Sequence, residues 1–183
     1  MQEFISLLSA NEKLVTSWTA ILAVFISLVS IVVAVVNIAM QRAHNRKSVL
    51  PIGNLSLGDY ENQIFVRLRN DGGGPMIIDN ISVQQIETGK EIGSALIDLM
   101  PKGLAWTTFV KDISGRAFAA SKDIDLILFE GDPNKPQFID ARQRVREALS
   151  KLRVKVHYHS IYGDEMVAER PLDWFGRHAK NDA

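Results

Sequence analysis

Two histidines separated by one residue are the side chains of this chain best suited to binding a metal ion. His157 and His159 lie in an alternating stretch, so their imidazoles share one face of a predicted strand and can reach the same ion. No third ligand follows at a spacing typical of a metal site, and Glu165 or Glu169 can pair with these histidines across a predicted hairpin. We therefore expect a solvated polar strand face and no bound metal.

A run of three glycines, Gly72-Gly73-Gly74, is the second candidate, because the N–H groups of glycine-rich loops bind phosphates. No Lys-Ser or Lys-Thr pair follows, and the next segment alternates like a strand instead of opening a helix. The sequence therefore predicts a hairpin turn. The acidic residues Asp123, Asp125, Glu130 and Asp132 do not match the spacing of a calcium-binding loop.

A run of basic residues is the third candidate and suggests an anion-facing patch. Such a patch faces lipid headgroups or an anionic ligand such as a nucleotide or RNA, and the competing interpretation is the solvated side of a helix. Aromatic residues do not alternate with it, which argues against nucleic acid. The run consists of Arg142, Arg144, Arg146, Lys151, Arg153 and Lys155.

Composition narrows the chemistry further. The chain has no cysteine, which excludes disulfides, thiol catalysis and thiolate zinc sites. Its 21 basic and 21 acidic residues balance, so no global charge attracts nucleic acid or anionic lipid. We find no pattern of nucleophile and base, and we expect neither an enzyme nor a cofactor.

An apolar run near the N-terminus predicts a transmembrane helix over residues 18–40. No charged residue lies between Lys13 and Arg42. As a helix, residues 18–40 extend for about 35 Å, enough to cross a hydrocarbon core of about 30 Å with some tilt. A cleaved signal peptide is the alternative, but the run lacks a basic start, is too long and has no small-residue cleavage site. We expect an uncleaved anchor.

Basic residues after this helix predict its orientation. Arg42, Arg46 and Lys47 follow the span and only Lys13 precedes it. Since Lys and Arg near a membrane end are retained on the cytoplasmic side, we expect a single-pass protein of the bacterial inner (plasma) membrane. Its N-terminal tail, residues 1–17, would lie outside and its C-terminal domain in the cytoplasm.

Small and polar residues recur at steps of three and four along the predicted span. They form a stripe that we call the seam, and small residues and hydroxyls are what hold helices together in lipid. The sequence therefore predicts homo-oligomers within the lipid bilayer, and the alternatives are a chance alignment or a pore lining. The seam consists of Ala20, Ala23, Ser27, Ser30, Ala34 and Asn37.

Alternating apolar residues predict short strands in the rest of the chain. Candidate strands are residues 52–57, 64–68, 76–83, 106–110, 124–129 and 152–158, with a hairpin joining the second to the third and another following residue 158. Apolar residues from Phe138 to Leu152 recur with helical spacing, so residues 137–151 should form one amphipathic helix. We expect an antiparallel β-sandwich or barrel-like domain over residues 51–175, between a basic juxtamembrane segment at 41–50 and a tail at 176–183.

Three short segments resemble a group of short, functionally uncharacterised bacterial membrane proteins. They are residues 44–51 (HNRKSVLP), Asn70-x-Gly72-x-Gly74-Pro75 and Ser160-Ile161-Tyr162-Gly163. The resemblance implies one N-terminal span followed by a compact β domain, and it implies no activity.

Two functional interpretations follow. In the first, the membrane helix self-associates and presents the cytoplasmic β domain as a binding or scaffold module for an unknown protein partner. In the alternative, the helices assemble into an oligomeric pore-forming or membrane-perturbing effector whose β domain senses a signal.

Overall fold

The computed structural model describes residues 2–178, and for residues 2–10, 12, 13 and 178 it describes the backbone alone. Its first element, α1, is a continuous helix over Gln2–Ser48. Within Leu14–Ser48 the most apolar window of 18 residues has a mean hydropathy of 2.9, and by length and composition this is the one helix of the described residues that is suited to crossing a membrane. A signal sequence near an N-terminus has the same composition. The helix extends beyond both ends of the predicted span.

The chain divides into two compact units between Lys47 and Ser48. The second unit, which we call the β domain, is mainly antiparallel and contains two sheets. The first sheet has the strand order β1-β2-β7-β5. Its strands are β1 (Gly53–Asp59), β2 (Gln63–Asn70), β7 (Asp123–Glu130) and β5 (Thr108–Phe109).

The second sheet has the strand order β4-β3-β8-β9, and the short β6 pairs with β3. All its strand pairs are antiparallel. Its strands are β3 (Met76–Gln85), β4 (Glu91–Gly93), β6 (Ala117–Phe118), β8 (Leu152–His159) and β9 (Glu165–Pro171).

Both sheets contribute to a single hydrophobic core. In β2, Ile64, Val66 and Leu68 are buried while the residues between them are partly exposed, and the same alternation runs through β8. This is the period-two pattern of strands with one face on a core. Short 3-10 helices at Leu96–Leu99 and Asp173–His178 complete the described part of the domain.

The helix α2 (Pro136–Leu149) begins at a proline, whose missing N–H costs nothing in the first turn of a helix. It buries Phe138, Ala141, Val145 and Leu149, and the ring of Phe138 stacks on Phe129 of β7 at 5.2 Å. The predicted amphipathic helix is therefore confirmed, although it ends at Leu149 and the Leu152 of its expected apolar stripe begins β8. The hairpin of β8 and β9 is confirmed as well. The last five residues of the predicted C-terminal tail lie outside the described residues.

The predicted hairpin of the second and third strands is wrong. β2 pairs with β1 and β7, whereas β3 pairs with β4, β6 and β8, so the loop between them connects the two sheets. Alternation predicts that a segment is a strand, but it does not say which strand is its neighbour. The strand predicted over 106–110 is also shorter, because the regular ladder with β7 contains Thr108 and Phe109, and the flanking Thr107 and Val110 add single N–H bonds to β7 carbonyl oxygens.

The three glycines of this loop lie against the segment at which the chain enters the β domain. A Cβ atom at Gly72 would collide with the carbonyl oxygen of Leu50, and one at Gly74 with that of Val49. The buried side chain of Asn70 accepts hydrogen bonds from the N–H groups of Ile52 (3.2 Å) and Gly72 (3.0 Å) and donates to the oxygen of Gly74 (2.7 Å). The glycines therefore allow close backbone packing at the chain entry.

Candidate functional site: three arginines around Asp59

Three arginines surround one aspartate at the end of β1. The carboxylate of Asp59 has no exposed surface, whereas the side chains of Arg142, Arg146 and Arg177 are 19, 13 and 33% exposed. Two of these arginines come from α2 and the third from the last 3-10 helix. We call Asp59 and these three residues the arginine cluster.

The sequence of α2 explains why its two arginines reach this position. Arg142 and Arg146 are four residues apart, so they lie on the same face of the helix. Each directly follows a buried residue, Ala141 or Val145, and therefore lies at the margin of the buried stripe. Long arginine side chains at such a margin bury their stems and direct their guanidinium groups to nearby acceptors.

Arg146 makes the most specific contact with Asp59. Its Nε donates to Oδ2 at 3.0 Å and its Nη2 donates to Oδ1 at 2.8 Å, which is a bidentate guanidinium–carboxylate pair. Arg177 adds a hydrogen bond from Nη2 to Oδ2 at 3.1 Å. The carboxylate thus links α2 to the C-terminal 3-10 helix.

Arg142 lies differently from the other two arginines. Its Nε is 3.7 Å from Oδ1 of Asp59, which is an ion-pair distance. Its Nη1 donates to the carbonyl oxygen of Tyr60 at 2.8 Å and to that of Glu61. These contacts attach α2 to the turn between β1 and β2.

Burial and a neighbouring charge both lower the pKa of Arg142. Desolvation of its guanidinium is the main cause that lowers the pKa of Arg142 below its usual value, and the positive charge of Arg146 lowers it further. The carboxylates of Asp59 and Glu61 act in the opposite direction without cancelling the effect. Arg142 is thus a partly desolvated cation beside a second guanidinium group.

Arg177 is oriented by an aromatic ring as well as by Asp59. Its guanidinium carbon lies 3.4 Å from the ring centroid of Trp174, within the range of a cation–π interaction. Its Nη1 also donates to the carbonyl oxygen of Trp174 at 3.3 Å. Trp174 is 40% exposed, so this side of the cluster faces solvent.

The structure divides the six residues of the predicted anion-facing patch among separate places. Arg142 and Arg146 lie in the arginine cluster, whereas Arg144 pairs with Asp140 within α2 at 3.3 Å. Arg153 and Lys155 project from β8 and bind Glu169 of β9, at 2.9 and 3.1 Å. Lys151 is exposed.

Asp59 and Arg177 were not among the residues predicted from the sequence. Asp59 lies 87 residues before Arg146 and 118 residues before Arg177, so no local spacing relates them. A single aspartate before a turn and a single arginine near the end of the chain are common surface features. Their proximity arises from the packing of α2 and the last 3-10 helix beside the β1–β2 turn.

The two histidines lie on one face of β8, as predicted, but the partner of His159 differs from the prediction. His159 is opposite Glu165 in register, yet its Nδ1 lies 2.7 Å from Oδ1 of Asp79 in β3. A break in the β3–β8 register between Ile78 and Asn80 explains this, because a bulge redirects the side chain of Asp79. Among the described residues, no group of three metal-ligating side chains occurs.

The seam residues lie along α1 with exposed side chains. Ser30 donates its hydroxyl hydrogen to the carbonyl oxygen of Ile26 at 2.8 Å, within the same helix. The basic residues Arg42, Arg46 and Lys47 are in the last turns of α1, where positive charges interact favourably with the helix dipole.

No protein-family model matches the chain, and no curated protein matches it.

Proposed function

We propose that this is a single-pass membrane protein of the bacterial inner membrane. In this proposal α1 is an uncleaved anchor, and the β domain, with a β-sandwich-like arrangement, is a cytoplasmic binding or scaffold module. No catalytic role is part of the proposal. Its partners are the lipid bilayer, further copies of the chain and a protein that the sequence does not identify.

The observation that carries the proposal is the exposed apolar surface of α1. Leu14–Ser48 has none of its apolar window buried within the protein. Large side chains such as Phe25 (63%), Val32 (62%) and Ile38 (50%) are exposed on all sides of the helix. Burial of a side chain of this size contributes about 1.5–3 kcal/mol, so such a helix is stable in lipid and unfavourable in water.

The basic residues at the end of α1 support the cytoplasmic orientation. Arg42, Arg46 and Lys47 lie within two turns after the apolar stretch, where positive charge biases topology most strongly. Four of the 21 basic residues and two of the 21 acidic residues precede Ser48, so the β domain itself is slightly acidic.

The seam supports self-association of the anchor. Its residues follow a heptad-like spacing from Ala20 to Asn37, which keeps them facing a partner helix in a left-handed pair. Ser30 donates its hydroxyl hydrogen to the carbonyl oxygen of Ile26. The hydroxyl oxygen of Ser30 still has a lone pair that can accept a hydrogen bond from a second helix.

A second function is favoured by the continuation of the seam beyond the apolar stretch. Gln41, His44 and Ser48 extend the same spacing, so a polar stripe runs along most of the helix. In this alternative the helices assemble around the stripe as a pore or membrane-perturbing effector. Conductance that depends on Ser27 and Asn37 would distinguish it from a scaffold.

Membrane fractionation with mass measurement tests the anchor directly. We expect the full chain of 20.4 kDa to remain in the membrane pellet after an alkaline wash. The variant Leu28→Arg/Val29→Arg should move toward the soluble fraction, because a central arginine costs about 2.5–3.5 kcal/mol of insertion energy. A product shortened at its N-terminus and found in the soluble fraction would identify α1 as a signal sequence and refute the anchor.

A further inference from the structure

We infer that the arginine cluster around Asp59 is a binding site for a phosphoryl group, carried either by a soluble phosphate compound or by a lipid headgroup. This inference does not depend on the membrane anchor.

The first argument is the excess of positive charge in a partly buried place. Three guanidinium groups contact one carboxylate, and Glu61 is the further acidic residue whose charge acts on Arg142. Among the described residues, these three guanidinium groups and two carboxylates leave one positive charge. Like charges held close together at a desolvated site destabilise the fold, and a bound anion removes this repulsion.

A purely structural link would need fewer arginines. The bidentate pair with Arg146 already satisfies both oxygens of Asp59. Arg177 shares Oδ2 with Arg146, and Nε of Arg142 remains 3.7 Å from Oδ1. The second and third guanidinium groups therefore make fewer or longer contacts with Asp59 than Arg146 does, while each adds a full positive charge beside it.

The donors that remain fit a phosphoryl group. A guanidinium has five N–H donors in a planar fork. Among the described residues, the hydrogen bonds of Arg142 come from Nη1 and those of Arg177 from Nη1 and Nη2. Both side chains retain exposed surface. Their remaining N–H groups can therefore bind the oxygens of a tetrahedral anion in the bidentate manner that arginine uses for phosphate.

Within the β domain, the cluster lies at the end of β1 that is away from the chain entry. Asp59 is the last residue of β1 and Gly53, next to the chain entry, is the first. Six residues at about 3.3 Å each place these two residues about 20 Å apart, at opposite ends of the strand. The chain connection to α1 is thus at the other end of this strand.

The test is a titration with inorganic phosphate of the purified full chain in nanodiscs of neutral phosphatidylcholine. Phosphate replaces chloride during the titration, so that the ionic strength stays constant. We expect a saturable rise in the melting temperature, which is measured by tryptophan fluorescence. Arg142→Gln and Arg177→Gln should each weaken the apparent phosphate affinity about tenfold, which corresponds to the loss of one charge-assisted hydrogen bond.

Arg144→Gln is the matched control, because it removes the same charge from the same helix at a residue that pairs with Asp140. We expect its phosphate affinity to equal that of the unmodified protein. Absence of a saturable response in the unmodified protein would overturn the inference and make the cluster purely structural, whether or not the variants fold. An equal loss in Arg144→Gln and Arg142→Gln would also overturn it, since it would indicate a general charge effect.

A second set of nanodiscs identifies whether the phosphoryl group comes from a soluble compound or from a lipid. These discs contain phosphatidic acid, which carries a phosphomonoester headgroup. If the response to free phosphate persists unchanged, the site takes a soluble phosphate compound. If the response is lost in these discs and retained in neutral ones, the headgroup occupies the site. Both results support phosphoryl recognition by the arginine cluster.

Discussion

Asp59 shows how one residue can hold several elements of a small domain together. Its carboxylate receives hydrogen bonds from α2 and from the last 3-10 helix, and it belongs to β1. Breaking a buried ion pair by removing one partner is costly, because the remaining charge stays desolvated without compensation. In this cluster the removal of one carboxylate leaves three guanidinium groups facing one another.

We therefore predict that Asp59→Asn strongly destabilises the β domain. The expected loss is about 3 kcal/mol, which lowers the melting temperature by about 10 °C. Thermal unfolding of the full chain, followed by tryptophan fluorescence, measures this change.

The control for this prediction is Asp140→Asn. Its carboxylate is 73% exposed and pairs with Arg144 one turn away on the same helix, so its removal should cost less than about 0.5 kcal/mol. Equal melting temperatures for both variants would show that the buried network around Asp59 contributes little to stability.

Asn70 marks the limit of prediction at the scale of single residues. The sequence indicates a turn at residues 70–75, because Asn, Asp and Gly tolerate turn conformations. It does not indicate that the Asn70 side chain is buried and bound to Ile52, Gly72 and Gly74. Those partners are set by the way the chain entry lies against the loop, and this is a tertiary contact without a local pattern.

At the scale of elements, most strands and α2 follow from periodicity, and the apolar run predicts the central part of α1. β7, β8, β9 and α2 lie where alternation and helical spacing indicate them. The pairing of β2 and β3 does not follow, because loop composition is the same for a hairpin and for a crossing between sheets. The sequence predicts one part of the arginine cluster, because helical spacing places Arg142 and Arg146 on one face of α2. Their proximity to Asp59 arises only in the packed domain.

The seam of α1 is the element for which self-association can be tested. Replacement of Ser27 and Ser30 by leucine should reduce cross-linking between copies in membranes. Loss of close approach and of interhelical hydrogen bonds costs about 0.6–2 kcal/mol per contact. Cross-linking yield at equal expression is the measurement.

Val29→Leu/Val32→Leu is the matched control for this change. At about 100° of rotation per residue, these positions lie on the side of α1 away from the seam. Their replacement keeps the helix apolar and alters only a lipid-facing surface. Equal cross-linking yields for the two double variants would eliminate the seam as an interface, together with the pore that depends on it.

At the scale of the whole molecule, the chain joins two units with different surfaces. The helix exposes its apolar side chains, and the domain buries a core shared by two sheets. Each unit has its own internal contacts, and the division falls directly after the basic residues that end α1. The proposed membrane-anchored binding module is consistent with this organisation, and a binding role requires that the module lies in the compartment of its partner.

The compartment of the β domain is therefore the central claim, and paired reporter fusions after Ala183 test it most directly. One fusion carries alkaline phosphatase, which is active only outside the cytoplasm, and the other carries green fluorescent protein, which after export by the general secretion pathway does not fluoresce. Because Arg42, Arg46 and Lys47 follow the span, we predict strong fluorescence and inactive phosphatase. Strong phosphatase activity together with absent fluorescence would contradict the account.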